Sequence, residues 1–254
     1  MNNHRLFELA KPVVFAHRGA KKYAPENTLV SFQKALEMGA QALELDITLS
    51  KDGEVVVIHD DSVERTTNGK GAVAELNLAE IKKLDAGAWF SKDFVGEKIP
   101  TLEEVLALVQ GKALINIEIK NAGKRNEELV QKAAALVGKA KRQESIIFSS
   151  FIPKNVRLIR KMLPECPAGL LTLPGLVGKM EIGMLGGVSP DLIHPHYSSV
   201  SARFIQRQHR HLKRVHTYTV NDPDLMRTLV QWNVDGFFCD DLVLAQQVLA
   251  KISH

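Results

Sequence analysis

Acidic residues occur at alternate positions in short apolar segments of this 254-residue sequence. Glu44 and Asp46 lie two positions apart, so that in a strand both side chains leave the same face, and Glu118 and Lys120 repeat the spacing. A buried carboxylate without a partner costs several kcal/mol. Carboxylates that converge therefore indicate a divalent cation, and oxygen ligands favour Mg²⁺, Ca²⁺ or Mn²⁺ over zinc. The alternative is a buried ion pair between Lys120 and Glu44 or Glu118, with no metal bound.

Two histidines also end apolar segments: His17, which Arg18 follows, and His59, which Asp60 follows. A histidine pair beside a metal suits phosphodiester cleavage, because one imidazole can deprotonate the nucleophile while the other protonates the departing oxygen. Arg18 and Lys120 supply fixed positive charge for the non-bridging phosphate oxygens. For either histidine taken alone, the simpler interpretation is a hydrogen-bonded core residue.

Short β-branched segments alternate with helical patterns, which is typical of a parallel sheet with crossover helices. One further apolar run, 55–58, follows the second strand after a turn too short for a parallel crossover, so we predict a hairpin there. The chain length and the other strands predict a single TIM (β/α)₈ barrel over 1–254, with a small insertion after the second strand. The predicted barrel strands are 13–17, 42–48, 113–119, 145–150, 168–172, 191–195, 214–220 and 235–239.

The helices carry readable ends. Thr101 and Glu104 form a capping box, Pro153 and Pro223 are typical first-turn prolines, and helices are predicted over 29–38, 102–110 and 241–251. Residues 60–99 are predicted to form an insertion over the barrel mouth, with a short helix near 78–85. The glycine-rich stretch 173–190 is predicted to be a mobile loop. Because barrel active sites lie at the carboxyl ends of the strands, the ionisable residues above should meet there.

Composition limits the function classes. The net charge of +4 and the pI of about 9.0 suit an anionic small molecule, but the excess is too small and dispersed to indicate nucleic acid. Cys166 and Cys239 form neither a disulfide framework nor a zinc motif. Since no stretch is apolar enough for a secretory signal or a membrane span, we expect a soluble cytoplasmic protein with no integral membrane association. The sequence does not determine the oligomeric state.

Longer motifs carry a family resemblance. They are AHRGAKKYAPENTLVSFQKALEMGA at 16–40, ELDITLSKDGEVVVIHDDSVERTTNGKG at 44–71, INIEIK at 115–120, FSSF at 148–151 and TYTVNDPDLMRTLVQWNVDG at 217–236. Together and in this order, they resemble the glycerophosphodiester phosphodiesterase family over nearly the full chain, and most closely its small cytosolic bacterial-type members.

The resemblance implies a role for each matching residue. Glu44, Asp46 and Glu118 would hold one divalent cation, Mg²⁺ or Ca²⁺, with Mn²⁺ as a further candidate. His17 would accept a proton and His59 would donate one, while Arg18 and Lys120 would bind phosphate. The sequence departs from the common family pattern at Tyr218, where many members have tryptophan near the substrate, and at Cys239-Asp240, where many have Thr-Asp.

The implied reaction is metal-dependent hydrolysis of a small glycerophosphodiester to sn-glycerol 3-phosphate and an alcohol, with water or the glycerol 2-hydroxyl as the nucleophile. One alternative is a larger lipid substrate, as in the lysophospholipase D or phospholipase C relatives, for which the apolar residues of 173–190 would provide a landing surface. A barrel that binds but has lost catalysis should lack a histidine or a metal ligand, and here all five positions are retained. A metal-dependent aldolase or amidohydrolase barrel would not explain Arg18 beside His17.

Overall fold

The computed structural model describes residues 4–120, 122–175, 178 and 190–252. Its sheet has the strand order β1-β9-β8-β7-β6-β5-β4-β2-β3, and a further pairing of β1 with β2 closes a barrel. Strand β3 is antiparallel to β2, whereas the barrel pairs are parallel. The predicted TIM barrel and its additional hairpin are thereby confirmed. The strands are β1 (Val13–Ala16), β2 (Ala42–Leu49), β3 (Val55–Val57), β4 (Leu114–Ile119), β5 (Ile146–Ser150), β6 (Ala168–Thr172), β7 (Leu192–Pro195), β8 (Arg214–Thr217) and β9 (Gly236–Cys239).

The helices begin where the capping signals indicate. Thr101 and Glu104 form the predicted capping box, and Pro153 and Pro223 each occupy the first position of a helix. Among the described residues, no helix is both long and apolar enough to span a membrane. The helices are α1 (Leu29–Glu37), α2 (Leu78–Ile81), α3 (Leu102–Val109), α4 (Asn126–Ala140), α5 (Pro153–Met162), α6 (Ala202–Arg210), α7 (Pro223–Gln231) and α8 (Leu242–Ile252).

Two predicted boundaries are wrong by three or more residues, whereas the other predicted ends fall within one residue of the observed ones. Helix α2 ends at Ile81 rather than near residue 85. Strand β8 ends at Thr217 rather than at residue 220, because Tyr218 makes only an isolated bridge to His196 and the regular ladder stops. Most of the predicted loop 173–190 lies outside the described residues.

The 60–99 insertion has a small core of its own. Val63, Val73, Ile81 and Ala86 are buried together against apolar residues of the β3 segment. This packing fixes the insertion to β3, whose end carries His59.

The barrel interior contains both aromatic and polar side chains. Phe15 and Phe238 stack with their ring centroids 4.7 Å apart. Nearer the carboxyl ends, the Asn116 side-chain amide donates to Ser149 Oγ at 2.9 Å. The interior therefore combines aromatic packing with polar residues close to the predicted site.

His194 on β7 and His216 on β8 are wholly buried, with their ring centroids 5.1 Å apart. None of their ring nitrogens has a hydrogen-bond partner among the described residues. Burial lowers the pKa of His194 to about 3. Burial and the neighbouring His194 lower the pKa of His216 well below its ordinary value. Both imidazoles are therefore neutral in the folded protein near neutral pH.

We expect the contribution of these two histidines to the free energy of unfolding to decrease as the pH is lowered from about 8 to about 5. The unfolded chain protonates these imidazoles near their ordinary pKa of about 6.5, whereas the fold keeps them neutral, so their stabilising contribution is present above that pKa and is lost below it. Each buried histidine should account for about 2 kcal/mol at about pH 5.

Urea unfolding of the wild type and of His216→Gln across this pH range tests the expectation. The variant removes one of these two buried imidazoles and leaves the other histidines in place. The free energy of unfolding of the variant should therefore depend less steeply on pH than that of the wild type. Identical pH dependence in the two proteins would contradict the prediction.

Candidate active site

The turn after β1 places His17 and Arg18 over the carboxyl ends of the strands. Arg18 and Gly19 both have left-handed backbone conformations, with φ of 56° and 85°. A Cβ at position 19 would lie 2.5 Å from Ser31 Oγ, so glycine is required there. The Ser31 hydroxyl donates to the Arg18 carbonyl at 3.1 Å and holds the turn against α1.

Three acidic side chains meet at this end of the barrel. Glu44 and Asp46 extend from β2 and Glu118 from β4, and one oxygen of each lies within 4.8 Å of the others. Burial and the nearby Asp46 and Glu118 raise the pKa of Glu44 well above its ordinary value. Burial and Asp46 likewise raise the pKa of Glu118. The strand spacing thus brings the acids together as the sequence predicts.

Two cations compensate part of this charge. Arg18 Nε lies 3.2 Å from Asp46 Oδ2, and Lys120 Nζ donates to Glu118 Oε1 at 2.8 Å. Burial by itself would raise the pKa of Asp46, but Arg18 and Lys120 hold it below its ordinary value. The Glu118–Lys120 ion pair that was the metal-free alternative is therefore present.

This ion pair does not satisfy the whole cluster. Glu44 Oε1 and Asp46 Oδ1 are buried without a hydrogen-bond partner in the part of the chain that the structure describes. Arg18 is moreover shared, because its Nη1 donates to Glu26 Oε1 at 2.7 Å. Buried carboxylate oxygens without donors are costly unless a cation lies among them. The three acids therefore fit a divalent cation with oxygen ligands.

His17 is oriented by a carboxylate at the end of β9. Its Nδ1 lies 2.6 Å from Asp240 Oδ1, which leaves Nε2 on the side of Glu44, 3.8 Å from Oε2. Burial lowers the pKa of His17, and the hydrogen bond to Asp240 only partly opposes this effect. A neutral imidazole with its proton on Nδ1 presents Nε2 as a proton acceptor.

His59 has a similar arrangement. Its Nδ1 lies 2.6 Å from Asp60 Oδ1, and Arg65 Nε donates to Asp60 Oδ2 at 2.6 Å. The Arg65 guanidinium holds the pKa of Asp60 well below its usual range. Burial lowers the pKa of His59, whereas the negative charge of Asp46 raises it. Each histidine is thus held by one carboxylate.

A cavity of about 180 Å³ lies between these groups, and both histidines, Arg18, Lys120 and Tyr218 line it. Tyr218 donates its hydroxyl to the Thr172 carbonyl at 2.7 Å, so its ring forms a fixed wall. The volume is small beside the roughly 300–1,000 Å³ of pockets for drug-sized ligands. The apolar residues 176, 177, 180, 182 and 184, which the lipid alternative invokes, lie outside the described residues.

Several polar contributors were missed in the sequence. The Asn27 side-chain amide donates to Asp46 Oδ2 at 2.9 Å, and Glu26 bridges Arg18 and Arg65. Both residues come from the turn before α1, where no strand end marks them. Asp240 directly follows β9, so the strand-end rule that selected His17 could have selected it as well.

Comparison with known proteins identifies the family. The model of the glycerophosphoryl diester phosphodiesterase family matches residues 17–244. A glycerophosphodiester phosphodiesterase of Caldanaerobacter subterraneus is 39% identical over 232 residues, which is 91% of this chain and 95% of that protein. A Bacillus subtilis glycerophosphodiester phosphodiesterase is 34% identical over 238 residues, which is 88% of this chain and 81% of the relative.

The solved structures agree. An Oleispira antarctica phosphodiesterase in complex with the product sn-glycerol-3-phosphate is 30% identical, has a TM-score of 0.85, and the match covers 96% of this chain and 97% of that one. A glycerophosphodiester phosphodiesterase from Agrobacterium tumefaciens is 29% identical with a TM-score of 0.76, over 92% and 98% of the two chains. Sequence and fold together show that this chain belongs to the glycerophosphoryl diester phosphodiesterase family and is an enzyme of that class.

Proposed function

We propose that the protein hydrolyses small glycerophosphodiesters to sn-glycerol 3-phosphate and an alcohol, with Mg²⁺ or Ca²⁺ held by Glu44, Asp46 and Glu118. The observation that carries the proposal is the meeting of these three carboxylates within 4.8 Å, beside two histidines that line the same cavity. The product bound to the Oleispira relative supports the same substrate class.

Arg18 and Lys120 would bind the non-bridging oxygens of the phosphodiester. Both line the cavity, and both are fixed by carboxylates, so they are preorganised for an anion. A divalent cation in this site would supply Lewis-acid polarisation of a phosphoryl oxygen and charge compensation. The Tyr218 ring would pack against the glycerol or the head group.

His17 is positioned to begin the reaction. The Asp240 contact keeps the imidazole proton on Nδ1, so Nε2 can take the proton of the attacking hydroxyl. As that oxygen forms its bond to phosphorus, the bond from phosphorus to the alcohol oxygen breaks.

His59 is positioned to complete the reaction. In its doubly protonated form, with Nδ1–H directed to Asp60, His59 carries a second proton on Nε2 that it can give to the departing alcohol oxygen. If water attacks, its oxygen stays on phosphorus, one proton passes to His17 and the alcohol takes one from His59, so one water is consumed and the histidines recover by proton exchange with solvent. If the glycerol 2-hydroxyl attacks, the same two transfers give a cyclic phosphate, and water consumes it in a second step in which the two histidines exchange roles. The chain is one catalytic unit in this proposal, 1–254, with its insertion at approximately 60–99.

Replacement of either histidine by alanine should lower kcat by about 10²–10⁴-fold, the usual scale of general acid–base catalysis. Release of glycerol 3-phosphate from a panel of glycerophosphodiesters, in EDTA and with Mg²⁺ or Ca²⁺ restored, measures the effect. His211→Ala, which changes a histidine outside the site, is the matched control. Near-wild-type turnover of both His17→Ala and His59→Ala would refute the assignment.

Glu44→Gln should make thermal stability nearly independent of added Mg²⁺ or Ca²⁺. In EDTA the variant should unfold at the same temperature as the wild type or higher, because one of three mutually repelling charges is removed. Added Mg²⁺ or Ca²⁺ at 100 times its Kd should stabilise the wild type by about 2.7 kcal/mol and the variant much less.

Thermal unfolding with and without metal measures this difference independently of turnover. Glu97→Gln, in the insertion, is the control that should retain the full response. A wild type that neither Mg²⁺ nor Ca²⁺ stabilises would contradict a divalent site among these acids.

A further inference from the structure

Arg65 lies in the insertion, and its side chain makes hydrogen bonds to two carboxylates beside the site. Its guanidinium holds both oxygens of Asp60: Nε donates to Oδ2 at 2.6 Å and Nη2 to Oδ1 at 3.0 Å. Nη2 also donates to Glu26 Oε1 at 2.8 Å. One guanidinium therefore joins two carboxylates, each of which contacts a residue of the cavity.

Asp60 and Glu26, the two carboxylates of this network, contact different residues of the site. Asp60 Oδ1 lies 2.6 Å from His59 Nδ1, so the position of Asp60 sets the orientation of that imidazole. Glu26 Oε1 accepts from Arg18 Nη1 at 2.7 Å, through the same oxygen that Arg65 contacts. The result is a continuous chain of charge-assisted hydrogen bonds that runs His59–Asp60–Arg65–Glu26–Arg18.

Among the described residues, the carboxylate that orients the other histidine has weaker support. Asp240, which orients His17, accepts from the neutral Asn221 amide at 2.8 Å, and its nearest cation is Lys21 at 3.6 Å. Arg65 is also not among the described residues that line the cavity, and its side chain is 44% exposed. It therefore acts on the site through Asp60 and Glu26 rather than by lining the substrate cavity.

We infer that Arg65 is a positioning residue for the proton donor, through which the insertion controls protonation of the leaving alcohol. The inference rests on the proposed function, in which His59 protonates the departing oxygen. A bidentate guanidinium fixes the plane of the Asp60 carboxylate, and that carboxylate fixes the ring whose Nε2 faces the alcohol. No other residue in the described part of the chain makes a hydrogen bond to Asp60 Oδ2.

The test exploits the leaving group. Two substrates that share the glycerol phosphate half are compared: sn-glycero-3-phosphoethanol, whose alkoxide needs a proton to depart, and sn-glycero-3-phospho-4-nitrophenol, whose phenolate departs without one. Arg65→Gln should lower kcat about 10–100-fold on the first substrate, with KM little changed, and leave the second nearly at the wild-type rate. A loss of packing would lower both rates together.

Controls separate the possible failures. Arg227→Gln removes an arginine of nearly equal exposure, 43%, that pairs with Asp224 on α7 away from the site, and it should leave both substrates unaffected. Asp60→Asn interrupts the same network and should reproduce the leaving-group selectivity if Arg65→Gln does not fold. Equal losses of kcat on both substrates, or a raised KM with unchanged kcat, would overturn the inference.

His59→Gln distinguishes this inference from the proposed function. If His59→Gln is selectively slow on the ethanol diester while Arg65→Gln and Asp60→Asn are not, only the inference about Arg65 fails. If His59→Gln loses equally on both substrates, the assignment of His59 as the proton donor fails, and the role of Arg65 fails with it.

Discussion

The site depends on one electrostatic constraint, the packing of three carboxylates close together at one end of a barrel, where burial reduces their solvation. Burial and mutual repulsion raise the pKa values of Glu44 and Glu118, and two buried carboxylate oxygens have no hydrogen-bond donor among the described residues. Arg18 and Lys120 offset only part of the charge. A cluster that is destabilising without a cation is, for the same reason, a strong ligand set for one.

The surrounding residues are arranged around this constraint. The Arg18 guanidinium forms ion pairs with both Asp46 and Glu26. The backbone N–H of Arg18 donates to Glu44 Oε2 at 2.9 Å. The left-handed turn that directs this N–H inward requires glycine at position 19. The same turn therefore sets the backbone geometry, supplies the compensating charge of Arg18 and places His17.

Much of the fold was predictable because it depends on local periodicity. The strand spacing placed Glu44, Asp46 and Glu118 on inward-facing positions, and the short 51–53 turn correctly indicated that β3 folds back on β2. Contacts that join distant turns were not predictable. Asp240 meets His17 across 223 positions, and Glu26 meets Arg65 across 39 positions, so neither pairing leaves a signal in local spacing.

Strand β2 belongs to two structures at once. Its lower part pairs with β1 and β4 inside the barrel, while Ile47 to Leu49 pair with β3, which supports the insertion. The carboxylates on β2 and the imidazole at the end of β3 are therefore tied by a direct hydrogen-bonded ladder, and Ile58 N–H donates to the Asp46 carbonyl at 3.0 Å. The insertion residues between Arg65 and α3 pack against the β3 segment but belong neither to the three carboxylates nor to the histidine pair, so a change there reaches the site through β3.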